Sequence, residues 1–173
     1  MSVDVFEPKK LEKTTKLLTN PVSFRAFTFG LMPLGFVAGL HVKRMDESSC
    51  EVGIPGGWRT QNPFKSMYWA AQGMAAELAA GLHPALYTKA SSVPVSMILA
   101  ECHGGFKRQC IGKARFRCED GDAIRKVVAE TAVTGKRLPC KVKVVGLDPD
   151  DNVVSEWEFV WSFKGKPKKK EDA

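Results

Sequence analysis

The sequence predicts an α+β fold in which an antiparallel sheet wraps around one long central helix. Three observations carry that expectation. An apolar segment of helical period occupies the middle of the chain; short segments of alternating apolar and polar residues flank it; and helical and strand-rich blocks are separated rather than interleaved, which suits an antiparallel sheet. At 173 residues and 44% hydrophobic content, the chain is long enough for one domain with a substantial core.

In chain order, "KKLEKTTKLL" is an amphipathic helix that Asn20–Pro21 breaks, and "VSFRAFTFGLMPLGF" is a second short helix or packing segment. Residues 1–30 are therefore expected to form a helical segment packed on the main domain, residues 31–164. "GLHVKRMDESSCEVGIP" reads as two strands around the polar turn "DESS", with Cys50, Val52 and Ile54 alternating with Glu51 and Gly53. "PGGWRTQNP" is a loop. The central helix is expected from about Phe64 to Ala80, ending near Gly81 and the His83–Pro84 step, with Met67, Ala71, Met74, Leu78 and Leu82 at helical spacing. Apolar nearly all round, it should be buried on most sides.

Strands follow at "VSMILAEC" and "FKRQCIGKARFRC", with "ECHGG" (Glu101–Gly105) read as a hairpin turn between them. In the second, Phe106, Cys110, Ala114, Phe116 and Cys118 are expected to share a face opposite Lys107, Gln109, Lys113, Arg115 and Arg117. "GDAIRKVVAETAVTGK" is an amphipathic helix capped by Asp122 and closed by Gly135. "PCKVKVVGLDPDDNVVSEWEFVWSFKG" is a hairpin turning at "DPDDN", with Val153, Trp157, Phe159, Trp161 and Phe163 expected on one face. The last residues, 165–173, form a lysine-rich tail with no apolar residue besides Ala173, expected to be solvated and disordered.

Composition excludes several classes. No opening segment has the pattern of a secretory signal, and Glu77 with the Pro84 step argues against a membrane span. The five cysteines include no CxxC pair, so reduced, buried thiols in a cytoplasmic protein are expected. His41, His83 and His103 have no metal-ligand spacing, and no metal is expected. The net charge of +7 is concentrated near the ends; no basic face with interleaved aromatics suggests nucleic acid, although a diffuse positive field favours an anionic ligand.

The candidate chemistry starts from Glu77, the only formal charge between Ser66 and Thr88. Burying a lone carboxylate costs several kcal/mol without a partner. Asn62 lies just before the helix, too far along one chain to meet Glu77. Across a two-fold axis, antiparallel helices from two subunits would bring Glu77 of one to the helix start and Asn62 of the other. Donors at a carbonyl and a carboxylate beside it suit acyl hydrolysis.

The stretch "NPFKSMYWAAQGMAAE" resembles the hotdog-fold acyl-CoA thioesterases, particularly the phenylacetic-acid-pathway type and its divergent branch. That family carries an Asn, a His-Gly-Gly helix opening and a mid-helix acid; Asn62, Phe64 and Glu77 match by position, and the element order fits from about Leu31 to Lys164. The resemblance implies a hotdog fold, a homodimer or dimer of dimers, and an acyl-CoA or fatty-acyl ligand. It also implies catalytic roles, which carry over only to Asn62 and Glu77; Tyr68, Trp69, Ala70 and Met74, beside them on the helix, are expected to line the substrate site. No cofactor is implied beyond the CoA thioester as substrate or ligand. Tyr68, Trp69 and Ala70 replace His-Gly-Gly, and a Trp crowds an approach that glycine permits. Structural roles stay open beside these: Glu77 paired with amides or a lysine, Asn62 as a helix cap, Tyr68 and Trp69 as packing. A non-catalytic acyl-binding protein is the alternative function.

Overall fold

The computed structural model describes residues 5–165, so the lysine-rich tail from 166 lies outside the described residues. Three helices come first: α1 (Pro8–Thr19), α2 (Pro21–Leu31) and α3 (Pro33–Ala38). Each starts on a proline, whose missing N–H costs nothing in a first turn. Asn20 ends α1 and caps α2, its Oδ1 accepting from Val22 N and Ser23 N at 3.0 Å. The helical segment thus extends to Ala38, beyond the expected boundary at residue 30.

Strands β1 (His41–Met45) and β2 (Cys50–Ile54) flank the expected polar turn. Asp46 accepts there from the backbone and hydroxyl of both Ser48 and Ser49, and these bonds hold its carboxyl at about 2. The long helix α4 (Trp69–Ala90) follows, then β3 (Val95–Phe106), β4 (Ala114–Cys118), α5 (Gly121–Thr134), β5 (Arg137–Leu147) and β6 (Val153–Gly165). The six strands form one antiparallel sheet in the order β1-β2-β4-β5-β6-β3, curled around α4. This is the hotdog arrangement that the sequence predicts.

The core lies between α4 and the sheet. Val52, Phe116, Val142 and Phe159 are sealed beneath Ala75, Ala76, Ala79 and Ala80. Burying a large side chain contributes about 1.5–3 kcal/mol each. Two tryptophans of β6 reach the helix where it has no side chain: a Cβ on Gly73 would lie 3.3 Å from Trp157, and one on Gly81 3.2 Å from Trp161. From the far half of α4, His83 Nε2 donates to the Asp46 carbonyl at 2.8 Å and Tyr87 Oη to the Glu47 carbonyl at 2.9 Å, fixing the β1–β2 turn.

The central helix starts later and ends later than expected. The Asn62 side chain accepts from Phe64 N and Ser66 N, holding residues 62–66 in a turn with Lys65 at φ 61°, so this stretch is not helical. Downstream, Pro84 removes one backbone bond, but Leu82, His83, Leu86 and Tyr87 are buried, and that packing outweighs the break. "ECHGG" is not a turn but part of the second half of β3. Its Gly104 is there for close approach: a Cβ would stand 2.6 Å from the Trp157 ring. The strand expected from Phe106 is only Ala114–Cys118, and residues 107–113 are a loop.

Smaller corrections concern charges and thiols. Asp122 lies in the first turn of α5, while Asp120 is the capping position and accepts from Lys143 N. Gly135 closes α5 at φ 67° as expected. Arg115, on the charged face of β4, is half-buried between Glu51 and Asp151. All five cysteines are free; four are buried, but Cys102 on β3 is exposed and Cys110 lies in the loop.

The two sheet edges differ. β1 is five residues long, bulged, and carries Lys43 and Arg44, the usual devices that discourage further pairing. β3 is also irregular, at Leu99–Glu101, but it is twelve residues long, pairs only with β6 and carries neither lysine nor proline.

Candidate functional site

Helix α4 is buried along most of its circumference and open along one stripe: Ala70, Gly73, Met74, Glu77, Gly81 and Ala85. The i, i+4 spacing of this stripe follows from 3.6 residues per turn. Glu77 is thus not enclosed, as the sequence reading expects, but exposed at the centre of the stripe. It borders an apolar groove of about 410 Å³. The wall opposite α4 comes from Phe27 of α2, Met32 between the helices, and Pro33 and Leu34 of α3, and Trp161 of β6 lines it too. Glu77 is the only charged residue lining the groove. Although water reaches the side chain, the apolar surroundings push its carboxyl above the ordinary glutamate value. Burial also raises the Cys102 thiol on β3, and the Glu77 charge adds to that shift.

A second cleft, of about 540 Å³, lies at the start of α4. Asn62, Tyr68, Trp69 and Gln72 face Phe106 and the loop through Cys110. The approach to the helix is fixed by Met67 N donating to Cys110 O and Tyr68 N to Thr60 O, both at 2.7 Å. No side chain caps the helix at Tyr68, and the first intrahelical bond runs from Gln72 N to Tyr68 O. The amides of Trp69, Ala70 and Ala71 are therefore left over by position, and they favour a partly negative oxygen. Asn62 spends Oδ1 on its own turn and donates one Nδ2–H to Ser66 Oγ at 3.0 Å, so the second Nδ2–H is uncommitted. Tyr68 and Trp69 are exposed, with ring centroids 5.8 Å apart.

The structure therefore divides the expected site residues into two groups. Met74 and Glu77 share the groove; Asn62, Tyr68 and Trp69 share the cleft, with Ala70 in the adjoining helical turn. Eight residues of helix separate Trp69 from Glu77, about 12 Å of rise. One chain does not join the groups.

Two contributors escape a reading of the central motif alone. Gln72 is 4% exposed in the floor of the cleft, donating to Met67 O at 3.4 Å. The α2–α3 wall is the other. Its signal in the sequence is the stretch Phe24–Val37, where Arg25 is the only charge.

No family model matches the sequence, and no curated protein does. Solved structures do. The chain is similar to a Pseudomonas aeruginosa protein of unknown function described as a probable thioesterase, at 18% identity and TM-score 0.68, covering 87% of this chain and 99% of that one. A Chlorobaculum tepidum protein of unknown function gives 13% identity and TM-score 0.70 over 87% and 99% of the two chains. A Staphylococcus aureus thioesterase gives 9% and 0.61 over 77% and 99%; it has been solved with a glutamine replaced by alanine and, separately, with a glutamate fifteen positions further on replaced. At these identities the likeness is one of fold.

Proposed function

We propose that the chain is a thioesterase-like hydrolase of acyl-CoA thioesters, working at a homodimer interface. The observation that carries this reading is Glu77: one carboxylate at the centre of the open stripe of α4, beside an apolar groove, with its affinity for a proton raised by its surroundings. A carboxylate whose pKa moves toward neutrality is a better general base at working pH. Asn62 stands fifteen positions earlier, the same separation and order as the two positions replaced in the Staphylococcus aureus enzyme. The long bare edge of β3 and the exposed aromatics Trp58, Phe64 and Trp69 supply surface for a second copy.

In the dimer, Glu77 of one subunit faces the helix start of the other. The amides of Trp69 and Ala70 and the second Nδ2–H of Asn62 polarise the thioester carbonyl. Glu77 takes a proton from water as its oxygen bonds to the carbonyl carbon. The tetrahedral oxyanion is held by the same donors, and collapse breaks the C–S bond and releases CoA as the thiolate. Donors of this kind are worth roughly 10²–10³ in rate each. Among the described residues no helix is long and apolar enough to cross a membrane. Five free thiols are maintained most simply in a reducing compartment, and the cytoplasm is the location proposed.

Subunit complementation tests this arrangement. Glu77→Gln and Asn62→Ala chains, each impaired alone, should regain about a quarter of wild-type turnover when mixed, because half the dimers are hybrid and each hybrid holds one intact site. Turnover of an acyl-CoA panel that survives Glu77→Gln removes Glu77 as the base. Trp69, 58% exposed where glycine would admit a ligand, favours a second reading as an acyl-CoA binder without turnover. Saturable binding with no hydrolysis would establish it.

A further inference from the structure

We propose that the groove beside Glu77 holds an aliphatic acyl chain, and that the α2–α3 segment limits its length. The assignment deepens the thioester reading and rests on it only for the head group. Leu18, Phe27, Met32, Leu40 and Leu82 line the groove with hydrocarbon or thioether surface, and the single carboxylate is Glu77. Trp161 Nε1 is buried and presents no accessible surface to a ligand. A ligand with polar groups along its length would lose its water without compensation here; a hydrocarbon with one polar end near Glu77 would not. At roughly 30 Å³ per carbon, comparable to the share of one water in the liquid, about 410 Å³ admits on the order of ten carbons. Because Phe27, Met32 and Leu34 belong to the segment before the first strand, chain length is read by the extension rather than by the sheet.

Calorimetry with uncleavable S-alkyl-CoA thioethers of 4 to 16 carbons (~4–16, spanning the estimated capacity) tests this, with straight-chain alkanols as probes lacking CoA. Each added methylene should tighten binding about four-fold until the groove is full, then add nothing. Phe27→Ala should move that limit to longer chains and Leu34→Trp to shorter ones. Leu34 is 75% exposed, so its replacement leaves folding intact even if Phe27→Ala loosens α2. Thioethers that bind equally at every length would overturn the groove assignment while leaving the thioester reading standing. Alkanols that show the chain-length slope while thioethers fail to bind would keep the assignment and remove the thioester reading. A slope that emerges only below the dimerisation concentration means that a second copy fills the groove, and the assignment falls.

Discussion

On its covered side α4 presents Ala75, Ala76, Ala79 and Ala80, none with accessible surface; on its open side it presents Gly73, Glu77 and Gly81. Both sides are built largely of small residues, yet they use them differently. The covered alanines let this chain's own sheet and helices close on the helix until no gap is left. The open glycines admit the tips of Trp157 and Trp161 and leave space above them, with the only carboxylate of the helix in the middle. Small side chains on a helix therefore mark close approach, and a charge among them tells which approach stays incomplete within one chain.

The largest expected effect on this contrast is chemical. Glu77→Gln should lower acyl-CoA hydrolysis by about 10²-fold or more, the range for a lost general base, as measured by thiol release. Wild-type turnover should rise as pH passes the raised pKa of Glu77, because the base acts ionised. Next comes packing. Ala79→Leu, on the sealed side, should cost about 1–3 kcal/mol by overpacking, whereas Ala85→Leu, on the open stripe, should stay within about 0.5 kcal/mol; urea titration distinguishes them. Equal costs would break the comparison.

A smaller effect concerns pH and stability. Since the folded carboxyl of Glu77 binds its proton more tightly than an unfolded one, its contribution is fully present below the unfolded value and is lost as pH rises through the folded value. Glu77→Gln should accordingly raise Tm at pH 7, with the gain vanishing by about pH 4, near the unperturbed glutamate pKa. The smallest expected effect is a labelling rate. Of the five thiols, Cys102 alone is exposed, and the Glu77 charge helps keep it protonated. Maleimide should modify Cys102 first, more quickly in Glu77→Gln, and more quickly still on dilution if the β3 edge pairs between subunits.

The sheet and its wrapped helix were legible because alternation at Cys50–Ile54, Ala114–Cys118 and Trp157–Phe163 has one physical cause, a half-buried pleat. The helix limits were not. Asn62 could equally have capped a helix at Phe64; its choice of a turn shows only in the paired bonds to Phe64 and Ser66. Pro84 reads locally as a stop, and only the burial of Leu86 and Tyr87 beyond it explains why the helix continues. Gly104 and Gly105 read as a turn because the Trp157 ring that requires Gly104 lies more than fifty residues away. For the site, Glu77 was conspicuous as the lone charge, but its exposure was not, since the apolar neighbours at Leu78 and Leu82 lie around the helix from it. The groove wall comes from a segment remote from the central motif: the near-uncharged run Phe24–Val37 marks it as apolar but not as the partner of Glu77.

The pairing of β3 with β6 also has a consequence for synthesis. β3 is complete at Phe106, but its strand partner spans Val153–Gly165. Emerging from the ribosome at about 5–20 residues per second, the nascent chain must carry β3 and the apolar face of α4 for several seconds before the final strand arrives. A chain cut just before Val153 would strand both, and that interval is when a chaperone has most to hold.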